Sequence, residues 1–188
     1  GSRPTGIYPY ELAVWAVAGS DSAATTVSGN LFVVNRANGP MGTGWEWLGV
    51  ERLVFSQPAG TNHLMWVGGD GSAALYRQVT STRWVAPPAE YRDTIVYASG
   101  EYTRTLRHGI QVVYDATGRH VRTINRANQV TTFYWASATR LDSVRVPPAG
   151  GGGRTIRLAW SGSILDSVIV SAGKGVNATI DGSGNLIH

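Results

Sequence analysis

Cysteine is absent from the 188 residues, which removes disulfides, thiolate metal sites and cysteine nucleophiles together. Lysine is nearly absent as well: all but one of the 16 basic residues are arginine, and Lys174 is the exception. The excess over 12 acidic residues is small and scattered, with no run of like charge, so the chain lacks the clustered basic stripe that a nucleic-acid groove needs. Also missing are an apolar run of the roughly eighteen residues that a membrane span requires and a signal peptide at the start. Gly1-Ser2 has the form of a cleaved-tag scar, so the natural N-terminus and any export signal are expected to lie outside this chain.

What is present points to strands. With 24 glycines, seven Trp, eight Tyr and only 15% charged residues, the composition suits short strands broken by turns better than helices rich in Ala, Glu and Lys. A single all-β domain is expected.

ELAVWAV (11–17), the turn cluster GSDS and TTVSGNLFVVN read as strand, turn, strand. A segment with glycines at 39, 42, 44 and 49 follows, permitting tight bends, and its tail from Leu48 to Phe55 fits one helical turn or an irregular strand. HLMWVGGDGSAALYR reads as a hairpin about a GGDG turn. The tracts Trp84 to Pro88 and Asp93 to Tyr97 come next, where Pro87 and Pro88 are expected to break a ladder, and EYTRTL and HGIQVVYD form another pair.

From Gly109 a pattern recurs. Tyr114-Asp-Ala-Thr-Gly-Arg119 is matched by Trp135-Ala-Ser-Ala-Thr-Arg140, then by the shorter Trp160-Ser-Gly-Ser-Ile-Leu, and LDSV follows at 141–144 and 165–168. Ile180-Asp-Gly-Ser-Gly-Asn-Leu186 opens a fourth copy that stops at His188. Spacings of about twenty to twenty-six residues fit hairpin repeats, in which one hairpin cannot bury its own apolar face but stacked neighbours can. In TIRLAW, Ile156, Leu158 and Trp160 take one face and Thr155, Arg157 and Ala159 the other. PPAGGGG (147–153) lies within this register and reads as a loop between repeats rather than an interdomain linker.

These residues resemble the RHS repeat family, also called YD repeats, of bacterial polymorphic toxins, insecticidal toxin complexes and teneurins. The match rests on Tyr114, Asp115, Gly118 and Arg119, on the degenerate positions Trp135, Arg140 and Trp160, and on a lead-in of Gly42, Gly44, Trp45, Gly49, Arg52, Asp70 and Gly71. It covers about residues 30 to 188; only the first copy keeps both Tyr and Asp. The resemblance implies antiparallel hairpins in a twisted or curved sheet, part of a β shell around a C-terminal cargo or toxin in a secreted or cell-surface bacterial protein. It divides the chain into a lead-in (3–108) and degenerate repeats (109–188) within one unit. A chain this short cannot close such a shell, so its partner would be the remainder of its own polypeptide, and excised edges are expected to self-associate through a strand or to fray.

Each candidate for chemistry has a structural reading that competes with it. Asp at the first position of a turn accepts backbone N–H bonds, so Asp115 is expected to be structural rather than catalytic, and Arg119 to pair with a carboxylate or with carbonyls. His63, His108, His120 and His188 show no metal-ligand spacing. Asp181 to Asn185 resembles half a calcium loop without its bidentate Glu. Asn177-Ala-Thr179 is an isolated sequon, and there is no nucleophile elbow, phosphate loop or dinucleotide fingerprint. No catalytic residue, metal or cofactor is expected. Trp45, Trp47, Trp66, Trp84, Trp135 and Trp160 are candidates to line a glycan groove, with Trp47, beside Glu46, the one most expected to face a ligand. A non-catalytic shell segment is the leading expectation, and a carbohydrate- or partner-binding module the alternative.

Overall fold

The computed structural model describes residues 3–37, 39, 44–86, 93–147, 153–170 and 175–177. These form fifteen strands and no helix, arranged as an antiparallel two-stranded sheet and a thirteen-stranded sheet. The all-β, antiparallel hairpin architecture read from composition and alternation is therefore the observed one.

The small sheet is a hairpin of β1 (Gly6–Ala18) and β2 (Asp21–Val33), paired without a register break from Gly6↔Val33 to Ala18↔Asp21. The large sheet runs in chain order. It begins with β3 (Arg52–Phe55), β4 (Leu64–Val67), β5 (Ala73–Thr80), β6 (Arg83–Val85), β7 (Thr94–Ala98), β8 (Glu101–Thr105) and β9 (Gln111–Tyr114). It continues with β10 (His120–Ile124), β11 (Val130–Trp135), β12 (Leu141–Val146), β13 (Arg154–Ser161), β14 (Ile164–Val170) and β15 (Gly175–Asn177). No crossover interrupts this meander, and β8 pairs with β9, so the lead-in passes into the repeats within one ladder.

Leu48 to Phe55 contains a regular strand at Arg52–Phe55 rather than a helical turn. The ladder between β6 and β7 does form, ending at Val85↔Thr94 before the two prolines, which lie outside the described residues. Gly42, residues 148–152 of the glycine loop, the fourth repeat copy, the calcium-like turn and most of the sequon also fall outside them. The strands flanking the glycine loop, β12 and β13, are direct neighbours, as a loop between repeats requires.

The large sheet does not stay open along its length. Its first strand comes back to the β9–β10 turn: the Leu53 N–H donates to the Gly118 carbonyl at 2.8 Å, and Arg52 bridges Arg119. Inside this curl lies one core, with Leu53, Leu64, Trp66, Tyr76, Trp84, Ile95, Val112 and Tyr114 buried. A second core lies under the repeats, where Leu141, Val144, Leu158 and Leu165 meet Val50 of the lead-in. The reverse side of β3 to β5 holds a third, in which Ile7 at the base of the hairpin packs with Met65, Val67 and Leu75. The alternation of strand side chains supplies two faces, and the curl lets both be covered.

Candidate functional site

The residues singled out from the sequence converge at the seam where the lead-in crosses the repeats. Val50 drops into the second core while the next residue, Glu51, reaches the first. One carboxylate oxygen of Glu51 accepts from the Trp66 indole at 2.6 Å, from Arg104 at 2.9 Å and from the Tyr114 hydroxyl in a still shorter bond. Arg104, 3% exposed, also donates through Nε to Asp93 at 2.6 Å and to the Tyr76 hydroxyl at 3.0 Å, and its guanidinium lies over the Trp66 ring at 4.1 Å. Tyr76 in turn donates to Asp93 at 2.7 Å.

This network places two carboxylates and one guanidinium in a hydrophobic interior. Burial alone would favour the neutral form of Arg104, yet the carboxylates of Glu51 and Asp93 and the two phenol oxygens hold its pKa above the ordinary arginine value. Burial raises the pKa values of Tyr76 and Tyr114, so both phenols stay protonated and act as donors. Every charge thus meets an opposite charge or a donor, the condition under which a buried ionic cluster persists.

The Tyr-Asp-x-x-Gly-Arg turn is built as its residue types require. Asp115 Oδ1 accepts from the Thr117 N–H at 2.9 Å and the Arg119 N–H at 3.1 Å, while Oδ2 accepts from Arg119 Nε at 2.8 Å. Burial raises the Asp115 pKa, but the bonds from Thr117 and Arg119 outweigh it and the net shift is downward. Arg119 also donates to the Ser137 carbonyl at 3.2 Å, tying this turn to the next repeat turn. Both residues therefore make the structural contacts expected of them.

One arrangement repeats along the sheet. The Trp135 indole donates to the carbonyl of His120, the residue after Arg119, at 2.8 Å; the Trp160 indole donates to the carbonyl of Leu141, the residue after Arg140, at 3.0 Å. His120, Leu141 and Leu165 fill equivalent buried slots, and Arg140 lies 5.0 Å from the centre of the Trp160 ring. A register shift accompanies each of these hairpin ends, next to His120, Trp135 and Trp160.

The lead-in residues are neighbours too. A Cβ on Gly69 would overlap the carbonyl oxygen of Trp47, so the GGDG turn needs glycine there to pack against the Gly-Trp segment. Asp70 closes its turn by accepting from the Ser72 N–H at 2.9 Å, and Arg36 donates to the Asp70 carbonyl at 3.1 Å against Gly71. Gly44 and Gly49 take positive φ around Trp45, and Arg52 pairs with Glu46 at 2.7 Å.

The tryptophans differ in exposure. Trp47 does not face solvent freely: with Trp45 it is half-buried against the second core, because the Gly-Trp segment lies across the repeat face. Trp66 and Trp84 are buried, and Trp135 and Trp160 half-buried. The exposed tryptophan is Trp15 on the hairpin, at 65%. The sequence reading missed the roles of Glu51, Arg104, Asp93 and Tyr76; the only hint was Glu51 within the lead-in. Beside the seam, Val50, Glu51, Arg52, Arg119, Trp135, Ala138 and Thr139 line a cleft of about 100 Å³, below the range of small-molecule sites. Among the described residues no group of three His, Cys, Asp or Glu side chains is placed to hold a metal ion, and no helix is long and apolar enough to cross a membrane.

His120 carries a pH dependence. Its Nδ1 accepts from the Glu51 N–H at 3.3 Å and its Nε2 meets Thr123 Oγ1 at 2.8 Å, with the ring between Tyr114 and Phe133. Burial drives its pKa from 6.5 to about 4, against the opposing pull of Glu51 and of a backbone bond at Arg122. The unfolded chain therefore takes up this proton first, and stability falls as pH drops from about 6.5 toward 4. Unfolding free energies from urea titrations should fall by about 2 kcal/mol between pH 7.5 and 5 through this residue. His120→Leu, which places in this slot the residue found at 141 and 165, should flatten that slope; an unchanged slope would remove His120 as its source.

No protein-family model and no curated protein matches this chain.

Proposed function

We propose that this chain is a non-catalytic structural segment of an RHS-type β shell, part of a secreted or cell-surface bacterial protein whose wall encloses a C-terminal cargo or toxin domain. The observation that carries this reading is the recurring bond from the aromatic near the end of the first strand of one hairpin to the carbonyl that begins the second strand of the hairpin before it. Such a link makes each repeat the template for the next, and a wall can be extended by it without a new core being invented. The Glu51 cluster then fastens the lead-in to the first repeat, and the remainder of the polypeptide is the principal partner. Electron microscopy of the complete natural polypeptide tests this. A hollow particle whose wall continues the thirteen-strand meander is the expected image; a segment standing apart from any shell would refute the reading.

A carbohydrate- or partner-binding module is favoured by a different observation: Trp15, 65% exposed, and Tyr10, 44% exposed, stand on a hairpin whose length is in solvent. Titration of tryptophan fluorescence with soluble glycans separates the two. A saturable shift lost in Trp15→Phe but kept in Trp47→Phe would assign a glycan site to the hairpin; a flat response across the panel leaves the wall.

A further inference from the structure

The β1–β2 hairpin is the part of the molecule that the shell reading leaves unused. Every residue from Pro9 to Ser28 is exposed, although the strands carry large apolar side chains. Cross-strand pairing sorts them into two faces. On one, Tyr8 and Leu31, Tyr10 and Gly29, Leu12 and Val27, Val14 and Thr25, and Ala16 and Ala23 stand opposite each other; the other carries Glu11, Trp15 and Val17 against Ser28, Ala24 and Ser22. The strands place no charge on the first face until Asp21 at the tip, and at its base the Arg3 guanidinium lies over the Tyr8 ring at 4.8 Å. Tyr10 covers the bare backbone of Gly29, so this face is continuous.

We infer that this uncharged face is a dimerisation surface, taken by the same face of a second copy, in addition to and independent of the shell reading. Three arguments select that occupant. Between Tyr10 and Ala16 the patch carries no charge and so does not repel its own copy, which a face of like charges would. The exposed stretch of β1, ten residues from Pro9 to Ala18, makes a ribbon about 33 Å long, and a two-strand face of that length offers on the order of 400 Å² per copy, so two copies bury about 800 Å², the lower end of specific interfaces. An isolated two-stranded ribbon is marginal in water, whereas two ribbons packed face to face form a small sandwich with a dry interior. A lipid bilayer suits the open ribbon less well, since its outer edges would carry unpaired N–H and C=O groups into hydrocarbon.

The chain has no cysteine, which makes the test direct. Val14→Cys, at the middle of the uncharged face, should form a disulfide-linked dimer under mild oxidation, and Ala13→Cys, on the opposite face, should not. In sedimentation velocity at micromolar concentration the unmodified chain should show a dimer, Leu12→Glu with Val27→Glu should weaken it at least tenfold, and Thr26→Glu on the opposite face should leave it intact. These positions lie outside all three cores, so near-ultraviolet circular dichroism of each variant should match that of the parent. A monomer at all concentrations, preferential cross-linking through Ala13→Cys, or a monomer that floats with phosphatidylcholine and phosphatidylglycerol vesicles would each overturn the inference.

Discussion

Arg104→Met is expected to destabilise the fold by about 3–5 kcal/mol, because it leaves the Glu51 and Asp93 carboxylates facing an interior that no longer holds a cation. For a chain of this size that corresponds to a drop in Tm of roughly 10 °C or more. The side chain volume is nearly kept, so the loss reports charge and hydrogen bonding rather than a cavity. Arg104→Lys keeps the charge but not the fork that reaches both carboxylates, and should fall between the two. Replacing the cluster together, Glu51→Gln, Asp93→Asn and Arg104→Met, should recover part of the loss, since the uncompensated charges go with the cation. Thermal and urea denaturation of the three variants decide the matter. A cost below about 1 kcal/mol for Arg104→Met would mean that water reaches the cluster and that it does not hold the seam.

Gly118→Ala is the second large effect, with an expected cost of about 2–4 kcal/mol. Gly118 has φ of +87°, which strains any L side chain, and its Cβ would also overlap the Leu53 carbonyl where β3 returns to the repeat turn. Gly100 separates these causes: its φ is +85°, but nothing lies within 4 Å of the added Cβ, so Gly100→Ala should cost only about 1 kcal/mol. The excess at Gly118 is the cost of opening the curl, and it should be accompanied by faster hydrogen exchange at the Leu53 amide. Equal costs at the two glycines would show that the return of β3 adds nothing to stability.

Both effects arise from contacts between residues far apart in the chain, and that separates what was legible from what was not. The hairpins were legible because each is local. Alternation marks the strands of TIRLAW, and GGDG and DATGR mark turns, since glycine and aspartate meet conformational and hydrogen-bonding demands within a few residues. The recurrence of an aromatic five residues before Arg119 and Arg140 was equally readable, and the indole bonds of Trp135 and Trp160 give it a physical cause. The packing of Trp47 was not legible because exposure depends on what lies across a face, which a glycine-rich segment does not declare. Glu51 looked like any charged residue beside an arginine, since its partners Trp66, Arg104 and Tyr114 come from three other strands.

The sequence by itself determined the strand-and-turn alternation, the turn chemistry and the recurring aromatic, because these follow from side-chain period and local backbone demands. Only the tertiary structure decided that the sheet curls until Leu53 meets Gly118, that an ionic cluster closes the seam, and that the apolar strands of the first hairpin stand in solvent instead of joining a core. The physical reason is that alternation tells which side chains share a face, whereas burial is settled by whatever other part of the chain arrives to cover it.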